Sequence, residues 1–92
     1  MPRSRRCVLY SGRVQGVGFR YTCQRLSTTF PITGSVRNLA DGSVELVADG
    51  DSQAVDAFLT AIRSEMGSKV RNVSVSDEEW PELPEVSFTI RY

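Results

Sequence analysis

The stretch Gly12-Arg13-Val14-Gln15-Gly16-Val17-Gly18-Phe19-Arg20 places three glycines within seven positions and closes on an aromatic and an arginine. Glycine lets successive backbone N–H groups turn toward one point and lets an anion approach closely. If such a loop runs into a helix, the first N–H groups of that helix have no intrahelical partner and its dipole is positive, so phosphate is the natural occupant. Arg20 then adds a planar, permanently charged fork that can bind two phosphate oxygens at once. The plainer alternative is a turn rich in glycine beside a solvated helix arginine. The stretch is not the nucleotide P-loop, because no Gly-Lys-Ser/Thr follows, and it is not the GxGxxG fingerprint. Cys7 and Arg13 have the five-residue spacing of cysteine-dependent phosphatases. That chemistry needs a thiolate at the base of a loop, whereas the residues between them are strand formers.

The elements that must position this loop are legible on both sides. Residues 7–14 mix β-branched and aromatic residues and predict a strand. Phe19, Cys23, Leu26 and Phe30 recur at helical spacing, which predicts a helix from about Gly18 to Thr29, stopped by Pro31. Ala40-Asp41-Gly42 separates two strand-like runs and suits a tight hairpin turn. In the second run Val44, Leu46 and Ala48 alternate with Ser43, Glu45 and Val47, leaving one mostly polar face. Asp51 is a good N-cap. Val55, Phe58, Leu59, Ile62 and Met66 follow as an apolar helical stripe, and Gly67 is a plausible stop. Residues 69–76 predict another strand, residues 77–85 an acidic, proline-broken loop, and residues 86–92 a last strand. That strand has Val86, Phe88, Ile90 and Tyr92 on one face, and it is either a fifth strand or the partner of the first. The order β-α-β-β-α-β predicts an α+β fold of the ferredoxin-like kind, an antiparallel sheet with two helices on one face.

The chain of 92 residues has the length of one domain, taken as 1–92. It contains no histidine, so the usual general base and the commonest metal ligand are missing, and no carboxylate or CxxC cluster suggests a metal. Apolar runs are too short to span a membrane, and the basic N-terminus lacks the apolar core of a secretory signal. Two cysteines in a chain able to form a core predict buried or half-buried thiols in the cytoplasm, with a Cys7–Cys23 bond left open. Net charge is zero, yet residues 1–40 carry seven arginines and no acid, while all eleven acids follow residue 40. Either folding mixes the halves or a positive surface awaits an anion. Arg3, Arg5 and Arg6 read as a frayed basic end that helps draw such an anion in.

Taken together, three motifs resemble the acylphosphatase family: "GRVQGVGFR", "GSVRNLADGSVE" and the terminal "FTIRY". The resemblance runs from about Val8 to Tyr92. It implies a small cytoplasmic, monomeric, metal-independent enzyme without cofactor, which hydrolyses acyl phosphates to a carboxylate and inorganic phosphate. Phosphate or other anions act as product or inhibitor, with no nucleic acid or membrane as partner. Carried over by position, the phosphate-binding arginine falls on Arg20 and the water-positioning asparagine on Asn38. The backbone cradle falls on Gln15, Gly16, Val17, Gly18 and Phe19. The chain departs from the family's pattern at Ser35, where tryptophan is common, and at "TFPIT", where a short glycine-containing link is common. A carboxylate leaving group hardly needs a general acid, which suits a chain without histidine.

Two rivals share the element order. RNA-recognition modules stack bases on aromatics in their third strand, but "SVELVA" has none and carries Glu45. The acylphosphatase-like module that opens hydrogenase maturation proteins commonly has proline after the arginine, where this chain has Tyr21.

Overall fold

The structure is a computed structural model that describes residues 2–16, 18–82 and 84–92. The elements are β1 (Arg3–Gly12), α1 (Phe19–Ser27), β2 (Ile32–Asn38), β3 (Val44–Asp51), α2 (Ser52–Met66), a single 3₁₀ turn (Gly67–Lys69), β4 (Val70–Asp77) and β5 (Phe88–Arg91). The sheet order is β4-β1-β3-β2-β5. The first four strands form an antiparallel ladder in which β3 lies between β1 and β2, and β1 between β3 and β4. Each helix therefore links two like-directed strands across an intervening antiparallel one, which is the ferredoxin-like arrangement.

Of the two expectations for the last strand, the fifth strand holds: β5 pairs with β2 and not with β1, and because it pairs in parallel the sheet is mixed rather than wholly antiparallel. The cause is where β4 ends. Asp77 lies opposite Arg6 near the start of β1, and β5 begins with Phe88 beside Gly34 near the start of β2. The acidic segment after β4 thus passes from one edge of the sheet to the other at a single end, and β5 must then run in the direction of β2.

The core lies between the helices and one face of the sheet. Val8, Tyr10, Val36, Val44, Leu46 and Ala48 supply the sheet side, and Phe19, Cys23, Val55, Phe58 and Ile62 the helix side. Aromatic pairs stitch the layers: Tyr10–Phe19 at 4.9 Å between centroids and Phe58–Phe88 at 5.4 Å, both tilted or edge-on as ring quadrupoles prefer. The Asp51 carboxylate accepts from the Gln53 N–H and starts α2, and Gly67 ends it. The stripe predicted for β5 holds only in its middle: Phe88 is buried, whereas Val86 and Tyr92 are fully or almost fully exposed.

The opposite face is not simply polar. Val47 and Ser35 are buried there, side by side across β3 and β2. Arg5 and Asp49 are buried beside them. The Arg5 guanidinium donates to Glu85 at 2.8 and 3.2 Å and to Asp49 at 3.4 Å, and Arg3 donates to Asp49 at 3.1 Å. Arg6 lies 3.5 Å from Asp77. The three N-terminal arginines are therefore not a frayed end gathering substrate. They sit inside β1, paired with acids, at the end of the sheet away from the glycine stretch. Cys7 belongs to this face and Cys23 to the helix layer, and both thiols are free. The sheet separates them.

Candidate active site

β1 ends at Gly12, and the glycine stretch carries the chain over the end of the sheet into α1. Gly12 has φ 123°, and a Cβ there would lie 2.6 Å from the Lys69 carbonyl oxygen, so only glycine permits β4 to approach the strand end. The strand slips register at this point, between Ser11 and Gly12, and the Arg13 N–H donates to Lys69 at 2.8 Å. The loop thereby leaves the sheet with a fixed exit.

Gly18 caps α1 in the left-handed region, φ 77° and ψ 20°. No side chain caps the helix and no acid lies in its first turn. Its first N–H groups are thus free of local acceptors and keep the positive dipole end for an external anion. A Cβ built on Gly16 or Gly18 would meet nothing within 4 Å, so the loop presents an open face. Val17, named for the same cradle, lies outside the described residues.

Gln15 was singled out for its backbone, but its side chain has a role that sequence reasoning missed. Its amide nitrogen donates to the Leu39 carbonyl at 2.8 Å and to the Ser43 carbonyl at 2.9 Å. These carbonyls flank the β2–β3 turn, so one side chain binds the glycine loop to the hairpin that carries Asn38. The hairpin is also stiffened by Asp41, whose carboxylate accepts from the Ser43 N–H and hydroxyl. Those bonds hold the Asp41 carboxyl below its ordinary range.

Phe19 is buried against Tyr10 and anchors the start of α1. The next residue, Arg20, therefore points away from the core. Its guanidinium lies 4.9 Å above the Tyr92 ring and makes a long 3.4 Å bond to the Arg91 carbonyl oxygen. No carboxylate lies within ion-pair distance of Arg20 among the described residues. Asn38 closes β2 opposite Val44, with its side chain exposed. Arg20, Asn38, Gly16, Gly18 and Phe19 border one cleft of about 170 Å³. The structure therefore brings together residues eighteen positions apart. The cleft also takes in Tyr21, Ile90 and Tyr92, which sequence reasoning did not assign to it. Only the place of Ile90 and Tyr92 within the terminal motif hinted at this.

Cys7 and Cys23 stand apart from the cleft. Burial pushes both thiols up, Cys23 to about 12, which is the reverse of an activated nucleophile. Among the described residues no group of three or more His, Cys, Asp or Glu could hold a metal ion, and no helix is long and apolar enough to cross a membrane.

Comparison with known proteins shows which family the chain is similar to. The family model described as Acylphosphatase matches residues 7–90. The acylphosphatase of Yersinia pseudotuberculosis is 43% identical over 81 residues, covering 88% of each chain. That of Methanospirillum hungatei is 45% identical over 74 residues, covering 78% of this chain and 81% of the other. The crystal structure of acylphosphatase from Bacillus subtilis superposes with a TM-score of 0.84 at 36% identity, covering 96% of this chain and 98% of the other.

Proposed function

The chain belongs to the acylphosphatase family and is an enzyme of acyl phosphate hydrolysis; we propose that the cleft at the end of its sheet is the catalytic site, with the loop from Gln15 to Phe19 and Arg20 holding the phosphoryl group and Asn38 positioning the attacking water. The observation that carries this reading is the meeting, around one small cleft, of a helix start without a side-chain cap, an arginine that has no carboxylate partner among the described residues, and an asparagine.

The chemistry follows from the leaving group. Water attacks phosphorus, the bond from phosphorus to the acyl oxygen breaks, and its electron pair leaves with the carboxylate. The carboxylate is stable as an anion and needs no proton. Charge in the transition state is concentrated on the phosphoryl oxygens, which is where the loop N–H groups and the Arg20 fork act. The Asn38 amide holds water in line with the breaking bond, a contribution of position rather than of acidity. A phosphoryl oxygen of the substrate accepts the proton of that water, so the protein supplies no general base. The reaction needs no metal or cofactor. The 92 residues work as one domain and as a monomer, in the cytoplasm.

The test is hydrolysis of benzoyl phosphate without added metal. Wild type turns it over. Replacement of Arg20 by glutamine, which keeps a polar side chain but neither the charge nor the guanidinium fork, lowers kcat/KM by about 10³-fold or more. A folded Arg20→Gln protein as active as wild type would refute the assignment.

A further inference from the structure

The seat assigned above accounts for the phosphoryl end of the substrate; the acyl end must leave the cleft past whatever lines its mouth. Of the three tyrosines, Tyr10 is buried, while Tyr21 is 65% and Tyr92 100% exposed, and both exposed rings border this cleft. Ile90 of β5 and Val14 of the loop add apolar surface to the same walls. The cleft volume of about 170 Å³ leaves room beyond the four heavy atoms of a phosphoryl group. Arg20 is the one charged residue on these walls among the described residues, and the phosphoryl group takes it. A second charge on the acyl part, of either sign, therefore finds no counter-charge there.

We propose that Tyr21, Ile90 and Tyr92 form a seat for the acyl group, and that this selects acyl phosphates with a flat aromatic or branched apolar acyl part over small or charged ones. The proposal rests on the phosphate seat described above. Tyr21 and Tyr92 border the same cleft as Arg20, and the Tyr92 ring lies under its guanidinium, so both rings stand beside a phosphoryl group clamped there. Tyrosine suits this place because it offers a large apolar ring with few rotatable bonds and a hydroxyl that tolerates water. Tyr92 also stacks under Arg20, so the residue that reports the acyl seat alone is Tyr21.

The experiment compares benzoyl phosphate with acetyl phosphate in wild type, Tyr21→Ala, Tyr21→Phe and Arg20→Gln, with inhibition by inorganic phosphate measured in each. Tyr21 is an exposed helix residue, so its variants fold, which circular dichroism checks. In Tyr21→Ala the ratio of kcat/KM for benzoyl to acetyl phosphate falls about tenfold, with the change in the KM for benzoyl phosphate. Tyr21→Phe keeps the wild-type ratio, and inorganic phosphate inhibits wild type and both Tyr21 variants alike. An unchanged ratio in Tyr21→Ala, or phosphate inhibition that weakens as much as benzoyl phosphate binding does, overturns the acyl seat while leaving the phosphate seat standing. Wild-type turnover by Arg20→Gln overturns both.

Discussion

At the scale of single residues, Gln15 and Arg20 do complementary things with permanent donors. Gln15 can satisfy two carbonyls only through its NH₂ group, since both partners are acceptors. Its carbonyl oxygen has no place in that arrangement, so Gln15→Glu removes both bonds and sets a carboxylate against two carbonyl oxygens. Gln15→Ala should cost about 1–2 kcal/mol, from two hydrogen bonds of ordinary net worth. It should also lower kcat more than it weakens phosphate binding, because what it loosens is the hairpin that bears Asn38. Chemical denaturation and phosphate titration of one preparation check both parts, and an unaffected kcat would contradict the role. The cysteines supply a second prediction. With both thiols raised by burial, neither carries chemistry, and the double replacement Cys7→Ser with Cys23→Ala should retain full turnover per folded molecule. Half-buried Cys7 should react with a thiol reagent well before buried Cys23, which labels only as the protein unfolds.

At the scale of elements, the strap from Glu78 to Ser87 explains why β5 exists where it does. It is tied at both ends: the Glu78 N–H donates to the Arg5 carbonyl at 2.8 Å, and the Gly34 N–H to the Ser87 carbonyl at 3.0 Å. Between them Glu85 reaches the buried Arg5 guanidinium, whose hydrogen bond holds the Glu85 carboxyl below its ordinary range. In the interval between its folded and unfolded pKa values the unfolded chain binds the extra proton, so stability rises with pH there. The contribution of Glu85 is complete above the unfolded value of about 4.3 and is lost as pH falls through the lower folded value. Glu85→Gln should flatten the acid limb of the stability profile as pH falls below the ordinary Glu value of about 4.3, while an unchanged limb would contradict the ion pair. Arg5→Met should cost about 3 kcal/mol or more, because it leaves the buried Asp49 with only the exposed Arg3. Little of this was legible in the sequence. The glycine stretch, both helices and the hairpin announce themselves through local spacing and turn chemistry. The strap has no periodicity, and its anchors lie eighty residues apart at Arg5 and Glu85. The outer residues of the last strand misled for a related reason: alternation marks Val86 and Tyr92 as core, but they flank the four residues of β5 on the open edge of the sheet, and both are left exposed.

At the scale of the whole molecule, the halves of opposite charge are partly mixed and partly sorted. Arg3, Arg5, Arg6 and Arg37 meet acids of the second half across the sheet. Among the described residues Arg13, Arg20, Lys69 and Arg71 make no ion pair; Arg13, Lys69 and Arg71 lie where β1 and β4 meet the glycine loop, and Arg20 lies beside the end of β5. The strap acids Glu78, Glu79, Glu82 and Glu85 lie at the other end. A neutral molecule built this way still presents a positive end to an anion. Raising ionic strength from about 0.01 to 0.15 M should therefore lower kcat/KM several-fold with kcat nearly constant, and a flat kcat/KM would remove the steering. The site itself joins the two halves of the chain's work at this end. The loop and α1 bring the phosphate seat, and the β2–β3 hairpin brings the water. The sequence carried both as residue types, but only folding sets them around one cleft. That division of labour is tested most directly by titrating folded Asn38→Ala with inorganic phosphate in a calorimeter and measuring its turnover of benzoyl phosphate. The account predicts phosphate affinity within about twofold of wild type and kcat reduced about 10²-fold or more. Wild-type turnover, or phosphate binding lost together with turnover, would contradict it.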